Sequence, residues 1–161
     1  MKSIKYFIQF LIISILFLIF KIIGLSLASR FSGKIVSLIG PFFRSKNIIR
    51  SNILKAFPNL EKNNIEKISK KMWNNYGRIL AEYIFIKDFR SSKFENNIVI
   101  EGQEILNEIK KCNEPVIFVS GHFNNFELMA MQIEKSGINL VAIYRPLNNK
   151  FLNFIMEKIR K

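Results

Sequence analysis

The sequence predicts an α/β protein in which an N-terminal membrane helix and amphipathic helices precede an incomplete, mostly parallel sheet with a βαβ unit carrying a His-x-x-x-x-Glu motif. Three observations predict it. An uncharged apolar stretch opens the chain, from Tyr6 to Phe20 and, past Lys21, from Ile22 to Ala28. Apolar residues at helical spacing follow between residues 48 and 84. Beyond Asp88, short Val/Ile/Phe runs alternate with helical patterns, the strand-helix-strand order of a parallel sheet.

The apolar opening is long enough for a bilayer, which needs about 20 residues of helix, provided that Lys21 carries its ammonium to the interface on its four-carbon stem. A cleaved signal peptide is the competing reading, with Lys2 and Lys5 as its basic start and Ser26-Leu27-Ala28 as its cleavage site. The apolar stretch exceeds the roughly 7–15 residues of a signal-peptide core, and a basic collar follows it. Arg30, Lys34, Arg44, Lys46, Arg50 and Lys55 stand between residues 30 and 60 without one acid. Short basic flanks stay on the cytoplasmic side, which places the body of the chain inside the cell. The expected division is a membrane anchor over 1–29, a basic membrane-proximal amphipathic segment over 30–60, and an α/β body over 61–161.

Charge and residue counts exclude other classes. The 161 residues carry 25 Lys and Arg against 12 Asp and Glu, a net +13, with one His and one Cys. Cys112 alone forms no internal disulfide, Cys-rich zinc site or CxxC pair, so burial and hydrogen bonds hold the fold, in a reducing compartment. The excess charge lies near the membrane: residues 30–99 hold 14 basic and 5 acidic groups, whereas residues 100–161 hold 8 and 7. A nucleic-acid binder places its cations on the folded body among stacking aromatics. Here Ile48, Ile49, Ile53, Leu54 and Phe57 interleave with Lys46, Arg50 and Lys55, a helix suited to anionic membrane lipids or, equally, a soluble helix with a solvated basic face. It ends at Phe57-Pro58, since proline disfavours helix in the residue before it.

From Ile65 to Ile84 the apolar positions repeat at three and four, predicting a helix with Trp73 and Tyr76 in its core face. Asn97 to Ile100 reads as a strand, Gln103 to Lys111 as a helix, and Pro115 to Val119 as a buried strand. A helix over Asn125 to Ser136, stopped by Gly137, and a strand over Leu140 to Tyr144 complete the βαβ unit. So few strands leave an open edge and an uncovered face.

Ser120-Gly121-His122-Phe123-Asn124-Asn125-Phe126-Glu127 lies at the carboxyl end of the predicted strand, where open α/β sheets collect ligands. His122, the only histidine, precedes Glu127 by five positions. With the first residues unwound, the carboxylate reaches one imidazole nitrogen and leaves the other free to accept a proton from a hydroxyl. Gly121 allows close approach of a ligand to the backbone, and the helix start stabilises a developing oxyanion. The structural alternative, a helix-capping histidine with Glu127 complementing the helix dipole, fits the spacing equally.

Gly121-His122-Phe123-Asn124-Asn125-Phe126-Glu127, preceded by Val116-Ile117-Phe118-Val119 and followed by Tyr144-Arg145-Pro146-Leu147-Asn148-Asn149, resembles the lipid A biosynthesis lauroyl acyltransferase family. Asn52-Ile53-Leu54-Lys55-Ala56-Phe57-Pro58, Trp73-Asn74-Asn75-Tyr76-Gly77-Arg78 with Glu82, and Glu101-Gly102 extend the resemblance upstream in the same order. It implies an inner-membrane acyltransferase whose site faces the cytoplasm and whose donor is an acyl group on acyl carrier protein. The acceptor it implies is a hydroxyl of a lipid A precursor, in lipopolysaccharide biosynthesis. His122 would be the base and Glu127 its orienting partner, with Gly121, Asn125 and Arg145 as substrate contacts and no metal, cofactor or covalent acyl-enzyme. A glycerophospholipid acyltransferase uses a similar histidine-acid pair, more usually with Asp. Members of the family are longer, so the resemblance covers only its N-terminal half; a truncated gene product or one piece of a split enzyme is expected, and a non-catalytic membrane-anchored remnant is the alternative. Whichever holds, the anchor predicts that the chain stays with membranes through a high-salt wash; release by salt would instead indicate attachment by charge alone, as in nucleic-acid binding.

Overall fold

The computed structural model describes residues 2–160 and divides into two compact units, one of residues 18–82 and one of residues 2–17 with 83–160. Helix α1, Lys2–Ile23, is apolar over most of its 22 residues, with mean hydropathy 2.5 in its most apolar 18-residue window. At 1.5 Å per residue it is about 33 Å long, enough by length and composition to cross a bilayer. Gly24 ends it with φ +80°, a left-handed conformation that side chains rarely adopt, and α2 begins at Leu25.

In the unit of residues 18–82, α2 (Leu25–Ile39) leads through a short 3-10 turn, Gly40–Phe42, to α3 (Lys46–Ala56) and α4 (Lys62–Tyr83). The periodicity over Ile65 to Ile84 does form a long helix, and α3 ends just before Phe57-Pro58. Small residues let α2 and α4 cross closely. A Cβ on Gly77 would strike the Ser32 carbonyl and stand 2.8 Å from Gly33 Cα, both backbone atoms that cannot swing away. Around this crossing, Ser29 Oγ donates to Glu82 Oε1 at 2.9 Å, and Arg78 Nε donates to Asn74 Oδ1 at 2.9 Å. Trp73 is half-buried and its ring lies on Gly40, whereas Tyr76, expected in the core, is 57% exposed. Tyr76 instead packs beside Trp73 with ring centroids 5.9 Å apart and its polar end towards solvent.

The other unit contains α5 (Ile86–Arg90), α6 (Gln103–Cys112), α7 (Glu127–Lys135) and α8 (Lys150–Arg160). Phe85, Ile86 and Phe89 on and beside α5, Met131 and Ile133 on α7, and Met156 and Ile159 on α8 form its buried core. The Phe94 ring closes one side of it, 5.2 Å from Phe89. Asn149 caps α8: its Oδ1 accepts from the amides of Phe151 and Leu152, while its Nδ2 donates to the Tyr6 carbonyl at 2.9 Å. Helices α6 and α7 occupy the predicted segments, and Gly137, φ +81°, follows α7 where a helix stop was read.

The predicted sheet is absent. No strand occurs among the described residues, so the expected incomplete, mostly parallel sheet and its βαβ unit are replaced by a helical fold; a 3-10 turn, Glu95–Asn97, runs into an irregular segment at 98–100, and 115–119 and 140–144 are irregular as well. Ile117 and Val141 are each 91% exposed. Residues from the two segments flank one open groove of about 560 Å³ without exchanging ladder hydrogen bonds. Apolar, β-branched composition records only that a segment suits a pleated, half-buried surface; pairing depends on partners distant in sequence, and an isolated two-strand ribbon is marginal. The helices needed no such partner.

The α2–α4 crossing yields a test. Alanine is about 1 kcal/mol better than glycine in a helix interior, yet Gly77→Ala is expected to destabilise the chain by about 1–3 kcal/mol because the methyl group has no room. Chemical denaturation monitored by helix circular dichroism measures the sign.

Candidate active site

The segment before α7 is a tight turn, built by local hydrogen bonds. The Phe123 amide donates to the Gly121 carbonyl at 2.9 Å, a three-residue turn with His122 at its tip. Asn124 then takes a left-handed conformation, φ 47°, one of the few that asparagine tolerates. The Leu128 amide bonds the Asn125 carbonyl at 3.1 Å and starts α7. His122 is therefore exposed, with only the edge-on ring of Phe126 against it, centroids 4.4 Å apart. Gly121 serves this turn: a Cβ there would come within 2.5 Å of the Phe123 ring, which occupies the space expected for a ligand. Asn125 is buried, and neither amide atom of its side chain has a hydrogen-bond partner. Such a group costs free energy until something polar meets it.

Glu127 opens α7 with its side chain only 12% exposed, and its partner is not His122. Arg160, at the end of α8, grips it: Nε donates to both carboxylate oxygens, at 3.0 and 3.1 Å, and Nη2 donates to Oε1. No hydrogen bond joins His122 to Glu127. The fork, on a carboxylate at the positive end of a helix, is a charge-assisted contact of the stronger kind. Arg160 is held in turn. Its carbonyl accepts from Arg90 Nη2 at 2.8 Å, and its guanidinium lies 5.1 Å from the Tyr144 ring centroid. Tyr144 donates to Glu157 at 2.9 Å, and that hydrogen bond raises the pKa of the phenol. Arg90 also pairs with Glu134 at 2.9 Å. Arg145 is exposed and contacts neither His122 nor Glu127. Of the five residues singled out from sequence, the turn thus brings Gly121, His122, Asn125 and Glu127 into one short segment. It leaves Arg145 apart and adds Arg160 and Tyr83.

The Tyr83 hydroxyl lies within the field of this pair without a hydrogen bond of good geometry. Burial pushes its pKa from 10.0 up to about 12, helped by the Glu127 charge and opposed by Arg160. Its folded pKa exceeds the unfolded value, so the neutral phenol favours the fold below pH 10 and that contribution disappears as pH rises towards 12. A tyrosinate absorbance titration is expected to show a component near pH 12 that Tyr83→Phe removes, along with part of the alkaline loss of stability.

Comparison with known proteins gives the context for this turn. A family model described as bacterial lipid A biosynthesis acyltransferase matches residues 1–161. The Lipid A biosynthesis myristoyltransferase of Escherichia coli (strain K12) is 23% identical over 129 residues, which are 80% of this chain and 39% of that protein. The Lipid A biosynthesis acyltransferase 2 of Shigella flexneri is 28% identical over 69 residues, 43% of this chain and 22% of that protein. The chain spans well under half the length of these relatives. No solved structure gives a significant match. Since the family match runs from the first residue to the last and takes in the His122 turn, the chain belongs to the bacterial lipid A biosynthesis acyltransferase family.

Proposed function

We propose that the chain serves an acyltransferase of lipid A assembly, moving a fatty acyl group from acyl carrier protein to a hydroxyl of a lipid A precursor at the cytoplasmic face of the inner membrane. In this reading α1 is the anchor and the basic segment over 30–60 meets anionic lipids. His122 removes the hydroxyl proton of the acceptor; the oxygen attacks the thioester carbonyl carbon, the C–S bond breaks, and the departing thiolate recovers the proton from the imidazolium. Esterification is complete without a covalent enzyme intermediate.

One observation carries the proposal: the family match includes the chain's only histidine, which stands exposed at the tip of a turn with a carboxylate five positions beyond it, at the start of α7. Glu127 retains capacity for a second partner. A carboxylate offers about four lone-pair positions, and the Arg160 fork uses only part of them, so Glu127 orients His122 without releasing Arg160. The unpartnered Asn125 amide supplies both a donor and an acceptor for the acceptor's polar groups.

The test is acyl transfer from acyl carrier protein to a lipid A precursor, with membrane sedimentation measured in parallel. His122→Ala is expected to lose about 100- to 10,000-fold in rate while sedimenting as before. Undiminished transfer by the variant removes His122 as the base, and transfer to glycerophosphate acceptors in place of the lipid A precursor reassigns the substrate.

A further inference from the structure

A second site lies in the unit of residues 18–82 and includes no residue assigned to acyl transfer. A cavity of about 420 Å³ opens between the starts of α3 and α4 and the end of α2. This falls within the roughly 300–1,000 Å³ of small-molecule sites. Lys46, Arg50, Lys62 and Lys70 line it, against the single acid Glu66. None of the four cations forms an ion pair with a described residue. The floor is apolar: Ile49 and Ile65 are buried, and Trp73, seated on Gly40, forms a wall.

The local sequence leaves an excess of positive charge at this cavity, which Glu61 at the cap of α4 and Glu66 offset only in part. Helices α3 and α4 have no acid in their first turns and instead begin with Lys46 and Lys62, cations at positive helix ends. Arg50 and Lys70 add two more on the same cavity. A bound dianion would reverse the sign of every one of these interactions. The rim identifies its source. Pro41 lines the cavity, and beside it Leu38, Phe42 and Phe43 project into solvent, with the two phenylalanines 88% and 78% exposed. Exposed aromatics next to cations suit a headgroup layer.

We propose that this cavity binds the phosphate headgroup of a membrane lipid, with the phosphate among Arg50, Lys62 and their neighbours and the adjoining apolar part on Ile49, Ile65 and Trp73. The site deepens the anionic-lipid reading of the basic segment from general attraction to a defined, saturable contact, and it is independent of acyl transfer.

Trp73 is the only tryptophan and lines this cavity and the neighbouring one against α3, so its emission reports this part of the unit and the variants below assign the response to the cavity. The experiment titrates the full chain in nonionic detergent with short-chain phosphatidic acid, and separately with short-chain phosphatidylcholine and with inorganic phosphate. A saturable change with phosphatidic acid is expected. In the Arg50→Gln/Lys62→Gln variant its midpoint rises about 25-fold, roughly fivefold per cation, while Lys110→Gln/Lys111→Gln, an equal charge change in the other unit, leaves it in place. Glu66→Gln, which removes the opposing charge, lowers the midpoint, a gain that misfolding does not produce. No saturable change, an equal shift in the Lys110/Lys111 variant, or failure of Glu66→Gln to tighten binding overturns the site. An equal response to phosphatidylcholine overturns the charge selection, and saturation by inorganic phosphate at the same concentration overturns the lipid. Membrane sedimentation that persists while the Trp73 response is lost separates failure of the cavity from failure of general membrane attraction.

Discussion

The carboxylate of Glu127, held between the start of α7 and the guanidinium of Arg160, is the contact on which the unit holding the His122 turn depends. Around it the irregular segments contribute no ladder, so the His122 turn is fixed by what precedes and follows it in α7, and α7 is fixed by its apolar contact with α5 and by this fork to α8. Burying a carboxylate is costly unless its lone pairs are met; Arg160 meets them, the helix start favours the same charge, and Tyr83 closes the side away from water. The fork therefore does two things at once. It anchors the last helix, and it fixes a carboxyl group at the start of α7, five positions after an exposed imidazole.

What the sequence disclosed and what it hid divide along the range of the interactions. Helices α4, α6 and α7 were legible because three-and-four spacing is a local signal, as were the stops at Pro58 and Gly137. The His122 turn was legible as a position, since a glycine, a lone histidine and an acid stood together ahead of a helical pattern. The strands at 115–119 and 140–144 were misread because an apolar β-branched run gives a preference without naming a partner. Arg160 was hidden for the same reason: it lies 33 positions from Glu127, and nothing in a basic helix end marks one arginine as the partner of a distant acid. Tyr83 looked like any core aromatic of α4, and its relation to the ion pair exists only in three dimensions.

The upstream residues of the family resemblance acquire a physical meaning in the unit of residues 18–82. Trp73, Asn74, Gly77, Arg78 and Glu82 lie along α4 and contact Gly40, Ser29 and the small residues of α2. They close a helix crossing. Motif residues in this family chain thus divide between a packing device in one unit and an exposed turn in the other, and the two respond to substitution in different ways. A change at the crossing acts through stability, whereas one at His122 leaves packing largely untouched because its ring is exposed.

Lys5 and Lys21, near the two ends of α1, also determine which bilayer the helix suits. Sixteen positions separate them, a rise of about 24 Å against a hydrocarbon core of about 30 Å. Two flexible ammonium stems make up the difference in a thin membrane with little strain, and in a thicker, more ordered one only by drawing the headgroups inward. For the anchor proposed above, lipid thickness is thereby a variable distinct from lipid charge.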